Sequence, residues 1–286
     1  SCLCQSSDAS AAAYNDNWDT GDSDNPAAFG AWTLNSGGIN SGRFMGSSTS
    51  NNDCALPTGD TNGDGDINTG GRAWFTFAHS SQLFEAFRSF AGIPVNSSLS
   101  VRMDNGCIQT GGTVGFAVRN TSGNTLAEFF FRGGDGAYTV NDATSGGSFS
   151  NSGVAFTDEG VEVTYVITAA GTYTIHIKRL VSGVVTTLTG RSFFNPSGGQ
   201  VPAQIRLFNF NAGNGTGFNA AYNNLKICRP CTAFTAALSG TTSVCQSATA
   251  TNLTTTITGG TSPYTVVYSD GVTNFTVTGY VSGSNI

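Results

Sequence analysis

Apolar and polar side chains alternate along short stretches of this chain, and a period of two fits β-strands with one buried face. "TVGFAVRN" sets Val114, Phe116 and Val118 on one side. "VEVTYVIT" does the same with Val161, Val163, Tyr165 and Ile167, and "TYTIHIK" with Tyr173, Ile175 and Ile177. Clusters of Gly, Asn and Ser such as "NTSGN", "RGGDG", "ATSGGS" and "NAGNG" separate these stretches and mark turns. "SSQLFEAFRSF" offers a helical spacing of Leu83, Phe84 and Phe87 and an equally good alternation, and its strand neighbours make it a strand. Residues 13–227 therefore read as a two-sheet antiparallel sandwich with ten or more strands.

Composition agrees with β-structure and excludes several functions. Only 10% of the 286 residues are charged, against about 25% in an average globular protein. Twenty Phe among them rule out a disordered low-complexity tract. The net charge is −6 and no cluster of Lys or Arg forms a phosphate-tracking surface, which argues against nucleic-acid binding. No apolar run approaches the ~20 residues of a membrane span. No charged-then-apolar leader opens the chain, so the expectation is that a signal peptide has been removed. Seven Cys beside so few charges point to an oxidising, extracellular setting.

Residues 1–12 form an N-terminal segment containing Cys2 and Cys4, and "CRPC" at 228–231 closes the first domain. From 232 to 286 the chain turns to Thr and Ser with almost no charge and holds four or five strands. An immunoglobulin-like sandwich needs about seven, so the second domain reads as incomplete, to be finished by the remainder of a longer polypeptide or by neighbouring chains.

"AYNDNWDTG", "FGAWTLN", "DINTGGRAWFTFA", "MDNG", "TGGTVGFAVRN" and "FNAAYNNLKI" resemble the concanavalin-like or laminin-G-like jelly-roll modules of bacterial secreted proteins. "TGGTSPYTVVYSDG" resembles the repeated immunoglobulin-like modules of large surface proteins of Bacteroidetes-type bacteria. The resemblance implies an all-β chain, a jelly-roll sandwich followed by a partial immunoglobulin-like one, in an extracellular adhesin or structural component. Jelly rolls of this type set their first and last strands side by side, which would gather Cys2, Cys4, Cys228 and Cys231. Two disulfides or a four-thiolate zinc site could result, and the oxidising setting favours disulfides in an order the sequence leaves open. Cys54 and Cys107 make a third pair within the sandwich, leaving Cys245 to find a partner outside this chain.

"DTNGDGDIN" places Asp60, Asn62, Asp64, Asp66 and Asn68 at alternate positions. This matches the first part of a calcium loop, with Gly65 at the turn, but Gly71 stands where a bidentate Glu would close it. Calcium completed by backbone carbonyls, Asp53 or another loop is expected; the competing reading is an acidic surface turn. "NDNWDTGDSDN" is spaced more loosely and reads as a solvated loop.

For catalysis the chain offers little by motif. Its two His stand in no metal arrangement, and no GxSxG elbow is present. Jelly-roll glycosidases need two carboxylates about the scissile bond; the four Glu are Glu85, Glu128, Glu159 and Glu162, and the laminarinase-type ExDxxE strand is missing. "DEGVEV" reads as a solvated edge carrying Glu159 and Glu162. Sugar sites also use exposed aromatic platforms beside amides and carboxylates. Of Trp18, Trp32, Trp74, Tyr138 and Tyr222, Trp18 alone is flanked by polar residues and is the exposed ligand-binding candidate. These observations lead to a non-catalytic extracellular structural or adhesive module without enzyme activity. The alternatives are a carbohydrate-binding module, with surface polysaccharide as partner, and a glycoside hydrolase-like enzyme.

Overall fold

A computed structural model describes residues 4–10, 18, 29–47, 67, 72–146, 148–157, 159–230, 235–239, 253–259, 262–269 and 271–285. The chain divides into two compact units, Leu3–Arg229 and Pro230–Ile286.

The first unit is the sandwich that the alternation foretold. One sheet runs β13 (Val185–Ser192), β12 (Thr172–Arg179), β11 (Val161–Ala169), β6 (Ser98–Asn105), β15 (Ala220–Cys228), β4 (Ala73–Ala78), β3 (Ser41–Gly46), with β1 (Cys4–Ser7) also paired to β15. The other runs β10 (Ser150–Ala155), β9 (Ala137–Asn141), β8 (Thr125–Arg132), β7 (Thr113–Arg119), β14 (Gln204–Phe210), β5 (Leu83–Phe90), β2 (Phe29–Ser36). Every pairing within the two sheets' named strands is antiparallel. "SSQLFEAFRSF" is the strand β5. Tertiary pairing overrides its helical spacing, because β14 and β2 satisfy the backbone on both of its sides.

Most strands send alternate residues into one core. Val114, Phe116 and Val118 meet Val161, Val163 and Tyr165 there, and Ile175 and Ile177 lie fully buried beside them. His176 points the other way and is half-buried, its Nδ1 2.8 Å from Thr187 Oγ1. Some of the polar insertions into this core are bonded, whereas Trp32 Nε1 and the Tyr165 hydroxyl are buried without a hydrogen-bond partner among the described residues. The Tyr222 hydroxyl lies 2.9 Å from the carbonyl oxygens of both Gly115 and Phe208, which share its one proton. Arg88, buried, donates from Nε to the Gly30 carbonyl at 2.7 Å and lies over the rings of Phe29 and Trp32. Burial pushes the phenols of Tyr165, Tyr173 and Tyr222 well above the usual range.

A smaller cluster of Ile67, Ala73, Phe75 and Ala221 covers part of the eight-stranded sheet's other face. Asn223 ties Ile67 down, donating to its carbonyl at 2.7 Å while accepting from the Ala9 amide at 2.9 Å.

Trp18 is corrected from an exposed platform to a core residue. It is fully buried, its ring 5.5 Å from Trp32 and 6.3 Å from Trp74, and its Nε1 donates to the Phe44 carbonyl at 2.9 Å. Polar sequence neighbours signalled a loop, but a large indole with its N–H satisfied gains more inside the sandwich than in water. Glu159 is corrected likewise. It is 7% exposed, ion-paired to Arg179, and accepts from the amides of Val181 and Ser182, so it pins the β12–β13 turn rather than facing solvent. Glu162 is half-exposed and pairs with Arg102 at 2.9 Å.

Cys4 and Cys228 stand opposite each other in the β1–β15 register and form a disulfide, which a four-thiolate zinc site cannot accommodate. Cys107 is disulfide-bonded too, while Cys2, Cys54, Cys231 and Cys245 lie outside the described residues. No helix among the described residues is long and apolar enough to cross a membrane.

The second unit contributes two antiparallel hairpins, β16 (Thr235–Ser239) with β17 (Thr254–Thr258) and β18 (Tyr264–Ser269) with β19 (Asn274–Tyr280). Tyr280 bonds both the amide and the carbonyl of Thr255 at 3.0 Å, linking the two hairpins within the unit.

Candidate functional site

The outward face of the seven-stranded sheet sets paired charges and aromatic side chains next to one another. In the register across this sheet, one row of neighbours runs Thr33, Phe87, Arg206, Ala117, Glu128, Asn141. The next row runs Asn35, Glu85, Phe208, Gly115, Phe130, Thr139. Strand alternation turns all of these away from the core, so the sequence spacing Glu85/Phe87, Arg206/Phe208 and Glu128/Phe130 becomes one two-row surface.

Arg206 stands between two carboxylates. Its Nε is 2.6 Å from Glu85 Oε1, and its Nη1 is 3.8 Å from Glu128 Oε1. Each carboxylate has an amide on its far oxygen: Asn35 Nδ2 donates to Glu85 Oε2 at 2.9 Å, and Asn141 Nδ2 to Glu128 Oε2 at 2.8 Å. A continuous polar ladder, Asn35–Glu85–Arg206–Glu128–Asn141, thus crosses from β2 to β9. Ion pairing and hydrogen bonds on both sides fix the two carboxylates in place.

Beside the ladder lies a depression of about 330 Å³ bounded by Leu83, Glu128, Phe130, Arg132, Phe149, Arg206, Phe208 and Phe210 together with Thr113. Its floor is aromatic because β7 carries no side chain at Gly115. A Cβ there would meet the Phe129 carbonyl at 2.3 Å and Phe130 Cβ at 2.5 Å, so only glycine permits this close strand approach. Phe130 and Phe208 meet across it with ring centroids 6.5 Å apart. Phe149 packs edge-on against Phe130 at 5.3 Å and stays 53% exposed; Phe210 is 42% exposed. Arg132 lies over Phe149 and pairs with Asp135 at 3.0 Å. Two large aromatics left in water beside fixed carboxylates, amides and a guanidinium make a surface that can take CH groups on ring faces and hydroxyls on polar groups.

Of the residues singled out by sequence, Trp32, Trp74, Tyr138 and Tyr222 sit in the core with Trp18. Asp60, Asn62, Asp64, Asp66 and Asn68 lie outside the described residues; Ile67, in their midst, is buried. Among the described residues no three His, Cys, Asp or Glu cluster as metal ligands. Glu85 and Glu128 had been counted but assigned no role. The signal for them was the alternation within "LFEAFRSF", "TLAEFFFR" and "QIRLFNF", which puts one charged and one aromatic residue on the same outward side of three strands.

No family model matches the sequence, and no curated protein matches it. Nineteen solved chains match the structure. One is a sialidase, 11% identical, with 56% of this chain and 16% of that chain covered and a TM-score of 0.40. Another comes from work on endo-acting O-glycanases that members of the human gut microbiota express to initiate mucin breakdown. It is 12% identical, with 72% and 93% covered and a TM-score of 0.42. A third is arcelin-5, a lectin-like defence protein from Phaseolus vulgaris, 9% identical, with 79% and 96% covered and a TM-score of 0.38. This chain therefore spans less than a fifth of the sialidase's length. Besides the sialidase and the O-glycanase work, the matches include a transglycosylase and a carbohydrate esterase. That finding corrects the expectation of a non-catalytic structural or adhesive module without enzyme activity. At such identities the likeness concerns the jelly-roll-like sandwich alone, so the functional argument rests on the sheet face.

Proposed function

We propose that the sandwich is a carbohydrate-active module that takes a glycan across the outward face of its seven-stranded sheet. The observation that carries the reading is the pair of carboxylates, Glu85 and Glu128, held on either side of Arg206 at the edge of an aromatic depression. Glycosidic bond cleavage needs one carboxyl group to protonate the leaving oxygen and a second to act on the other face of the sugar. Glu128 bounds the depression and its contact with Arg206 is long, which suits the proton-donating role. Glu85, tightly paired, suits the role of carboxylate acting on water or on the anomeric carbon. The exposed rings of Phe149 and Phe210 supply the platform. The same ladder supports binding without cleavage as the second reading, since every polar group in it is already fixed to receive hydroxyls.

Incubation with a panel of soluble polysaccharides, read as release of reducing ends, is the test. Cleavage of one substrate that falls about 100-fold or more in both Glu85→Gln and Glu128→Gln is the expected result. Binding without release of reducing ends, weakened about tenfold by Phe149→Ala, selects the second reading. Neither binding nor cleavage would defeat both.

We further place the module outside the cytosol, supported by the Cys4–Cys228 disulfide and the low charge, with a second, immunoglobulin-like unit after "CRPC". Calcium at Asp60, Asn62, Asp64, Asp66 and Asn68 is part of the same proposal. Its support is the alternate-position oxygens, with Ile67 anchored to Asn223 among them. Chelation is expected to lower the melting temperature and added Ca²⁺ to restore it, an effect worth about 2.7 kcal/mol at a hundredfold excess over Kd. A melt indifferent to EDTA overturns the calcium assignment.

A further inference from the structure

Arg119, on β7, stands one row beyond the ladder. Its partner on β14 is Gln204, two residues before Arg206, so the step along the sheet is about 7 Å. The guanidinium lies 5.0 Å over the ring of Phe87. It donates to Gln204 Oε1 at 3.0 Å and to the Gly123 carbonyl, while its Nε is buried without a hydrogen-bond partner among the described residues. The other two arginines of this face are ion-paired, Arg206 to Glu85 and Arg132 to Asp135. Arg119 has no carboxylate within ion-pair distance among the described residues. Burial lowers its pKa, and the neighbouring charge of Arg206 lowers it further against a smaller opposing effect of Glu85. An anion placed there would relieve both. Around it a cleft of about 380 Å³ is lined by Thr33, Phe87, Thr121, Ser122 and Gln204 with Gly123, so three hydroxyl-bearing residues and an amide border the same cleft as this cation.

We infer that this cleft is a subsite for the anionic substituent, a sulfate ester or a carboxylate, of an acidic glycan whose rings occupy the Phe149–Phe210 depression. The inference rests on the carbohydrate reading above and names its substrate class. A guanidinium stacked on an aromatic ring keeps its in-plane N–H groups aligned for two oxygens of one anion. The chain's net charge of −6 gives no long-range attraction for an acidic glycan. Preference for one must therefore arise locally, which makes it depend on a single residue.

The test uses the whole chain on an array of neutral, sulfated and uronate-containing oligosaccharides, followed by calorimetry on matched pairs that differ only in the acidic group. The expected result is binding about tenfold tighter for the acidic member, the size of one charge-assisted hydrogen bond. Arg119→Gln should erase that preference and Arg119→Lys should retain part of it, while Phe149→Ala weakens both members of a pair alike. The sulfated and uronate arms identify which anion is held. Equal binding of acidic and neutral members, or a preference that survives Arg119→Gln in a variant with the wild-type melt, overturns the subsite and leaves the carbohydrate reading standing. Binding of no oligosaccharide overturns both.

Discussion

Replacing Cys4 and Cys228 together by serine is expected to lower the unfolding free energy of the sandwich by about 5 kcal/mol. The two residues are 224 apart in sequence, and in the chain-entropy model the stabilisation grows with the logarithm of the closed loop. The native side of the balance changes little. β1 already pairs with β15 in antiparallel register from Cys4 to Ser7, so the serine variant keeps the backbone bonds that bring the positions together. Almost the whole effect is then a gain in freedom of the unfolded chain. Urea unfolding of the oxidised wild type and the double variant should show a shifted midpoint, and the variant should also show a steeper denaturant dependence as its unfolded state expands. A difference below about 1 kcal/mol would mean that β1 pairing alone holds the chain end.

The sandwich was legible because period-two alternation is a local property. Val114, Phe116 and Val118 declare a buried face regardless of what pairs with them. The site was not legible because it is made by pairing order. β14 lies between β7 and β5, and β8 lies beyond β7, so Glu85, Arg206 and Glu128 become neighbours through strands more than 120 residues apart in sequence between Glu85 and Arg206. No spacing rule on one strand encodes that. "LFEAFRSF" also hid its outward face: its aromatics fall on both sides of the strand, and the side carrying Arg88 is the buried one. Trp18 failed in the opposite direction, since polar neighbours in sequence said nothing about Trp32 and Trp74, which close around it from distant strands.

Charged residues inside the sandwich were equally invisible to patterning, and the largest remaining effect is expected at one of them. Asp142, fully buried, receives Arg191 Nε at 2.8 Å and Nη2 at 2.7 Å, as well as the hydroxyl of Tyr173. Its Oδ1 also accepts the Ser145 amide at 3.0 Å and so caps the 3-10 turn at Ala143–Ser145. Burial works against the charge on Arg191, but the bonds and field of Asp142 outweigh it and raise its pKa overall. Asp142→Ala leaves that guanidinium without its counter-ion in a low-dielectric site and strips the turn of its cap. The expected loss is about 3–5 kcal/mol, read as a fall in the urea midpoint. The sign of the coupling gives a sharper check. Arg191→Met alone should also destabilise, because it leaves a buried carboxylate unpaired, yet Asp142→Ala combined with Arg191→Met should cost less than the sum of the single changes, since both charges are then gone. Additive losses would mean that Asp142 acts through the turn cap and not through the ion pair.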